Sequence, residues 1–114
     1  MRGYRDGVLI GTTADSGNGA GAMADAFRVG EYSGGLNADA RIAHVTCYNT
    51  ALSLARINNL RWSKPPDNDL NIVLYWPLNE NGGTVAQDHA GTNNSGTLTS
   101  GVTWLSDHPP TTYK

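Results

Sequence analysis

The segment ARIAHVTCYNTALSLARINNL, residues 40–60, changes its hydrophobic periodicity halfway along, and this change restricts the possible folds strongly. Residues 40–48 alternate small or β-branched side chains with polar ones, which is typical of a β-strand. From position 52 onwards, leucine and isoleucine recur at a spacing closer to that of a helix. Ser53 is a suitable N-cap for that helix. We therefore predict a strand that runs directly into one short helix near residues 53–60.

The rest of the chain has the pattern of short strands joined by turns. Asp6-Gly7 lies between strand-like residues and predicts a tight hairpin over residues 4–10. Hydrophobic residues make up only 39% of the chain and glycine occurs 14 times, which argues against a helical bundle. We predict an all-β, antiparallel fold with a single helix. Further short strands are predicted at residues 26–30, 72–78, around 98 and at 102–104.

A proline-rich stretch divides the chain. Two consecutive prolines follow the predicted helix and cannot continue it, so residues 63–70 are interpreted as a connector. The connector separates residues 1–62 from residues 71–105. The proline-containing residues 106–114 are predicted to form an extended tail.

Residues 1–62 contain three short motifs, Tyr-x-Asp-Gly, Phe-x-Val-Gly and Tyr-Asn-x-Ala-Leu-Ser, the last followed by the predicted helix. The residues that carry them are Tyr4, Asp6, Gly7, Phe27, Gly30, Tyr48, Asn49, Ala51, Leu52, Ser53 and Ile57. Together the motifs resemble the closing half of a laminin-G or concanavalin-A-like jelly-roll domain. Residues 75–98 resemble the opening segment of such a domain. The resemblance implies an antiparallel β-sandwich whose segments stand in a rearranged order.

Charge and composition narrow the range of partners. The formal net charge of −2 and the pI near 5.8 give no electrostatic reason to expect a nucleic-acid partner. Cys47 is the only cysteine, so the chain has no intrachain disulfide. No stretch approaches the roughly 20 apolar residues of a membrane span, and no signal peptide is recognisable, so membrane insertion is not expected.

The distribution of reactive side chains does not favour catalysis. Glycoside hydrolysis needs two carboxyl groups roughly 5 to 10 Å apart, whereas the glutamates Glu31 and Glu80 lie isolated in turn-like sequence. His44 and Cys47 invite comparison with a base and a nucleophile. On a strand their odd separation places them on opposite faces, so they cannot bond to one another. We expect no enzymatic activity.

Four residues are the candidates for ligand binding: Trp62, His44, Asp88 and Asn93. Trp62 follows the helix and is expected to be exposed, where an aromatic ring can stack on a sugar or pack at the rim of the fold. Asp88 and Asn93 carry the hard oxygen atoms that calcium takes. Aspartate and asparagine are also the residues with which turns bond their own backbone. We expect turn chemistry here and no cofactor, with a calcium ion as the alternative.

Two functions are compatible with these patterns. The chain has fewer strands than a complete jelly roll, and an incomplete sheet leaves open edges. The first interpretation is a structural or adhesion subunit of a larger surface assembly, such as a virion decoration or fibre component, with other protein subunits as partners. The second is a lectin-like, carbohydrate-binding module that displays residues 14–25 and 88–96 towards a glycan. A fragment of a glycoside hydrolase is a remote third interpretation.

Overall fold

The chain forms two units by its internal contacts, Met1–Arg41 and Ile42–Lys114. The predicted display loop at residues 14–25 and nearly all of the predicted tail at 106–114 lie outside the described residues. The computed structural model describes residues 2–12, 27–32, 36–99 and 101–106, without the side chains of 31–32 and 36–37.

The first unit contains the predicted hairpin. Strand β1 (Arg2–Arg5) pairs antiparallel with β2 (Val8–Thr12). Asp6 and Gly7 form the turn, with φ angles of 53° and 76°. A type I′ turn needs positive φ at both central residues, and Asp-Gly supplies this at low steric cost. The hairpin predicted from this dipeptide is confirmed.

The second sheet of this unit is smaller and lies later in the chain than predicted. Strand β3 (Glu31–Tyr32) pairs antiparallel with β4 (Leu36–Asn37). The strand predicted at residues 26–30 is wrong for the described residues from 27 onwards, which are irregular. Gly30 has a φ of 81° and bends the chain just before β3, so regular pairing starts only beyond it.

The second unit is built on the pairing of β5 (Val45–Tyr48) with β6 (Ile72–Trp76). The strand predicted over residues 40–48 therefore begins later than expected. His44 has a φ of 54°, and this left-handed backbone interrupts the extended conformation directly before β5. The pairing brings segments from both sides of the 63–70 connector into one sheet.

The single helix of the described residues, α1 (Leu54–Leu60), lies where it was predicted. Ser53 is its N-cap, with extended backbone, and its hydroxyl accepts the amide N–H of Arg56 at 3.2 Å. At the other end, the Ser63 hydroxyl donates to the carbonyl of Asn59 at 2.9 Å. This bond satisfies a carbonyl that the last turn of a helix leaves without an intrahelical partner.

A fourth small sheet joins β7 (Val85–Ala86) to β8 (Gly96–Thr97). The pairing extends one residue further, where the amide of Leu98 donates to the carbonyl of Thr84 at 2.8 Å. The strand predicted at 102–104 is wrong. Gly101 has a φ of 93°, and a turn across it occupies the start of that segment.

The buried apolar residues of the described chain come mainly from β6. Within the described ranges, every strand belongs to one of four two-stranded antiparallel sheets, accompanied by one short helix. The predicted all-β class with a single helix is therefore confirmed at this level. Among these residues no helix is long and apolar enough to cross a membrane. The buried hydrophobic residues are Ile72, Leu74, Tyr75 and Ala86.

Candidate functional site

A cleft of about 310 Å³ lies beside β6 in the second unit, and we call it the Tyr75 cleft. Its walls combine proline and aliphatic surface with a tyrosine ring, an imidazole, an amide and an ion pair between Lys64 and Asp67. Its volume lies at the lower end of the range of small-molecule sites. The lining residues are Lys64, Pro65, Pro66, Asp67, Ile72, Tyr75, Pro77, Asn79, His89 and Ala90.

Tyr75 is the most firmly held residue of this cleft. It is 6% exposed, and its hydroxyl forms a 3.0 Å hydrogen bond with Nδ1 of His44. The ring of His44 stacks nearly parallel to it, while the ring of His89 meets it edge-on. Its backbone is fixed as well, because its amide donates to Asp88 and its carbonyl accepts from the amide of His89. The tyrosine is therefore a preformed wall of the cleft.

Asp88 organises the loop that follows β7. One carboxylate oxygen, Oδ1, accepts the amides of Tyr75 and Ala90, both at 3.0 Å. The other, Oδ2, accepts the hydroxyl of Thr92 at 2.6 Å and the amide of Asn94 at 3.0 Å. Partial burial would raise the pKa of Asp88, but these hydrogen bonds outweigh burial and hold the pKa well below its usual range.

The same loop covers the edge of β6 that faces away from β5; we call residues 88–94 the Asp88 loop. The side-chain amide of Asn94 donates to the carbonyl of Val73 at 2.9 Å, and the Thr92 hydroxyl lies 2.5 Å from the same carbonyl. Side chains thus take the place of a further strand. This is one of the ways in which proteins protect a sheet edge.

Trp76 fastens the end of the Asp88 loop. Its indole N–H donates to the carbonyl of Asn94 at 2.9 Å. Its six-membered ring lies directly against Gly96, where a Cβ atom would approach ring carbons to 2.8 Å. Only glycine allows the tryptophan to lie so close to the backbone of β8.

The structure brings two of the four predicted ligand residues together, and it places two elsewhere. His44 and Asp88 both hold Tyr75, the first through its hydroxyl and the second through its backbone amide. Trp62 is 63% exposed, as predicted, and the guanidinium of Arg61 lies over its ring at 5.1 Å. Asn93 is exposed in the Asp88 loop with a φ of 61°. None of the four predicted residues lines the Tyr75 cleft itself.

Sequence reasoning missed the residues that line the cleft. It treated Tyr75 as part of an apolar run, and it treated the segment with Lys64 and Asp67 only as a connector. One available signal was the tyrosine itself, since a buried phenolic hydroxyl usually has a hydrogen-bond partner. His89 had no such signal, because its position beside Tyr75 depends on the path of the Asp88 loop.

A second, more open cleft of about 370 Å³ lies between the end of β5 and the start of α1. Arg56 donates to Asp69 there at 2.8 Å, and the Tyr48 hydroxyl is buried next to both. Burial raises the pKa of Tyr48. Burial would lower the pKa of Arg56, but the ion pair with Asp69 and the nearby Tyr48 hydroxyl raise it overall. The Arg56–Asp69 pair ties α1 to the 63–70 connector.

Cys47, the single cysteine of the chain, is half-buried in β5. Burial raises the pKa of the Cys47 thiol, which lowers the fraction of the nucleophilic thiolate. Strand alternation does not determine the relative orientation of His44 and Cys47, because β5 begins only after His44. In the described part of the chain, no three His, Cys, Asp or Glu side chains cluster as metal ligands.

Comparisons with protein-family models, curated proteins and solved structures found no significant match to this chain.

Proposed function

We propose that the chain is a non-catalytic β-sandwich module of the laminin-G or concanavalin-A-like jelly-roll type. It acts as a structural or adhesion subunit of a larger surface assembly, such as a virion decoration or a fibre. One observation carries this proposal: the hairpin of β1 and β2 exposes three consecutive aliphatic side chains. Val8 is 65% exposed, Leu9 49% and Ile10 64%.

An isolated two-stranded hairpin is at best marginally stable in water. Burying one aliphatic side chain of this size contributes about 1.5 to 3 kcal/mol. Three such side chains on one short strand therefore represent a large gain that association with another protein can realise. The exposed run supports a role in which the hairpin is covered by a neighbouring subunit.

The state of the polar residues supports a non-catalytic role. The Asp88 carboxylate is fully occupied by four donors from its own chain. One oxygen of Glu80 accepts the amide of Gln87 at 2.7 Å. Cys47 is held as a thiol. These groups stabilise turns and strands, which is the structural use of such residues.

The proposal is tested by measuring the mass of the protein in solution by light scattering over a wide concentration range. A subunit is expected to form stable oligomers, or to form a complex with its assembly partner. A chain that stays monomeric at high concentration and is not incorporated into any surface assembly contradicts the proposal.

Carbohydrate binding is the second candidate, and the Tyr75 cleft favours it. The exposed ring of Pro66 suits the apolar face of a sugar ring, while Asn79, His89 and the Lys64–Asp67 pair suit its hydroxyl groups. A glycan array tests this function. We expect His89→Ala to weaken any specific signal, while Trp62→Ala, outside the cleft, leaves it unchanged. If the unaltered protein binds no glycan on the array, the carbohydrate-binding function is excluded.

A further inference from the structure

We propose that β2 of one copy of the chain pairs antiparallel with β2 of a second copy, about a twofold axis at Leu9. The two hairpins then form one continuous four-stranded sheet, with the β1 strands at its outer edges. This inference rests on the proposed role as an assembly subunit, and it names the partner and the contact.

The geometry of the hairpin fixes which groups of β2 are available. In a two-residue hairpin the residues that flank the turn exchange both backbone hydrogen bonds. Here these are Arg5 and Val8. The next pair, Tyr4 and Leu9, is then a non-hydrogen-bonded pair. The amide and carbonyl of Leu9 therefore point away from β1, towards the outer edge of β2.

A β-bulge limits this open edge. Tyr4 pairs with Leu9 and Gly3 pairs with Gly11, so Ile10 has no register partner in β1. The Ile10 side chain instead packs on Gly3, where a Cβ would lie 3.6 Å from its Cγ1 atom. Because the bulge disturbs the regular ladder beyond Ile10, the usable edge centres on Leu9.

Twofold pairing at Leu9 is self-complementary. Each Leu9 exchanges two backbone hydrogen bonds with the Leu9 of the second copy, and Val8 lies opposite Ile10 on either side. Aliphatic side chains that are 49–65% exposed in the single chain thus meet only aliphatic side chains. Apolar cross-strand pairs of this kind stabilise antiparallel sheets.

The other arrangements are less favourable or do not close. Twofold pairing of β1 with itself centres on Tyr4, whose amide and carbonyl point outwards, and places Gly3 opposite Arg5 of the second copy. That contact has one apolar cross-strand pair, Tyr4 against itself, whereas the β2 contact has three. Pairing of β2 with β1 of the next copy is a head-to-tail contact, which continues into an open filament. Pairing of the apolar β2 edge with β2 of a second copy instead gives a closed dimer.

A charge-swap experiment tests the contact, because Leu9 of one chain lies opposite Leu9 of the second chain. We expect Leu9→Lys and Leu9→Glu each to raise the dissociation constant of the dimer by at least about tenfold, through like charges across the axis. An equimolar mixture of the two variants is expected to associate again. Tyr4→Lys places the same charge on the same face of the hairpin, but on β1, and should leave the dimer intact. Sedimentation velocity gives the masses.

The outcomes separate this inference from the proposed function. If the unaltered protein associates and Leu9→Lys associates equally well, or if the mixture of variants fails to associate, β2 pairing is wrong while the subunit role stands. A mass that grows steadily beyond a dimer supports the head-to-tail filament and also overturns β2 pairing. A monomeric chain that binds a different partner through the hairpin also overturns β2 pairing. A chain without any association contradicts both proposals. Leu9→Pro removes the outward-facing N–H without adding a charge, so it should also be monomeric and serves as an uncharged second variant.

Discussion

Single side chains hold much of the second unit in place through hydrogen bonds, and Asp88 is the clearest case. Its carboxylate accepts four hydrogen bonds and links the Asp88 loop to the backbone of β6. Hydrogen bonds to a charged group contribute more than those between neutral groups. The charged carboxylate of Asp88 therefore stabilises the second unit.

We expect Asp88→Asn to lower the free energy of unfolding by about 1.5 to 3 kcal/mol at neutral pH, because an amide N–H₂ replaces an acceptor oxygen. The folded-state pKa of Asp88 lies below its unfolded value of about 3.9. The contribution is thus complete well above pH 4 and is lost as the pH falls below that value. Urea denaturation at neutral pH and at low pH measures both effects.

Asp67→Asn is the matched control for this substitution. Asp67 has a side-chain exposure of 86% and pairs with Lys64 on the surface, so its loss should cost less than about 1 kcal/mol. Equal losses for the two variants would show that the Asp88 loop is not held by its carboxylate.

Gly96 tests the packing of Trp76 in the same region. We expect Gly96→Ala to cost about 1 to 3 kcal/mol, because the new methyl group must displace the indole ring. Gly82→Ala is the control, since nothing lies within 4 Å of a Cβ at that position. Thermal unfolding of both variants measures the difference. A Gly96→Ala protein as stable as the Gly82→Ala protein would mean that Trp76 moves aside at no cost.

At the scale of elements, α1 depends on its N-cap. Ser53→Ala removes the acceptor of the Arg56 amide and should destabilise the protein by about 1 kcal/mol. Ser53→Asp keeps an acceptor and adds a negative charge at the N-terminus of the helix, so it should be at least as stable as the serine protein. Chemical denaturation of the two variants checks this. Equal stability of the alanine and aspartate variants would contradict the capping role.

The elements determined by interactions between neighbouring residues could be predicted from the sequence. The Asp6-Gly7 pair specifies a hairpin turn by itself, and Ser53 followed by helical spacing specifies α1. In both cases the determining contacts lie within four residues. Turns and caps are therefore the parts of this fold where sequence and structure agree most closely.

Boundaries and long-range contacts could not be predicted in this way. Nothing in the sequence singles out His44 as a residue with positive φ, so the strand was predicted to begin too early. The Tyr75 cleft combines residues from position 64 to position 90. His89 reaches Tyr75 only because Asp88 fixes the loop, and a hydrogen-bond network of that kind has no periodic signature.

At the scale of the whole molecule, the proposed association should appear as a concentration-dependent stability. Mass action stabilises any folded state that binds a second copy. For a dimer of chains of this length we expect the melting temperature to rise by about 2 to 5 °C per tenfold increase in concentration. Differential scanning calorimetry measures this shift. A melting temperature independent of concentration would contradict self-association.

The Asp88 loop also determines how the second unit behaves as a potential seed for fibrils. An incoming strand can extend the β5–β6 sheet at the far edge of β6 only after the bonds to the Val73 carbonyl and the Tyr75 amide are broken. The loop therefore imposes a kinetic barrier on amyloid growth. Because the pKa of Asp88 lies well below its usual range, the folded protein keeps this carboxylate ionised in mild acid. Storage between neutral and mildly acidic pH should accordingly leave the far edge of β6 covered, and only strong acid should expose it.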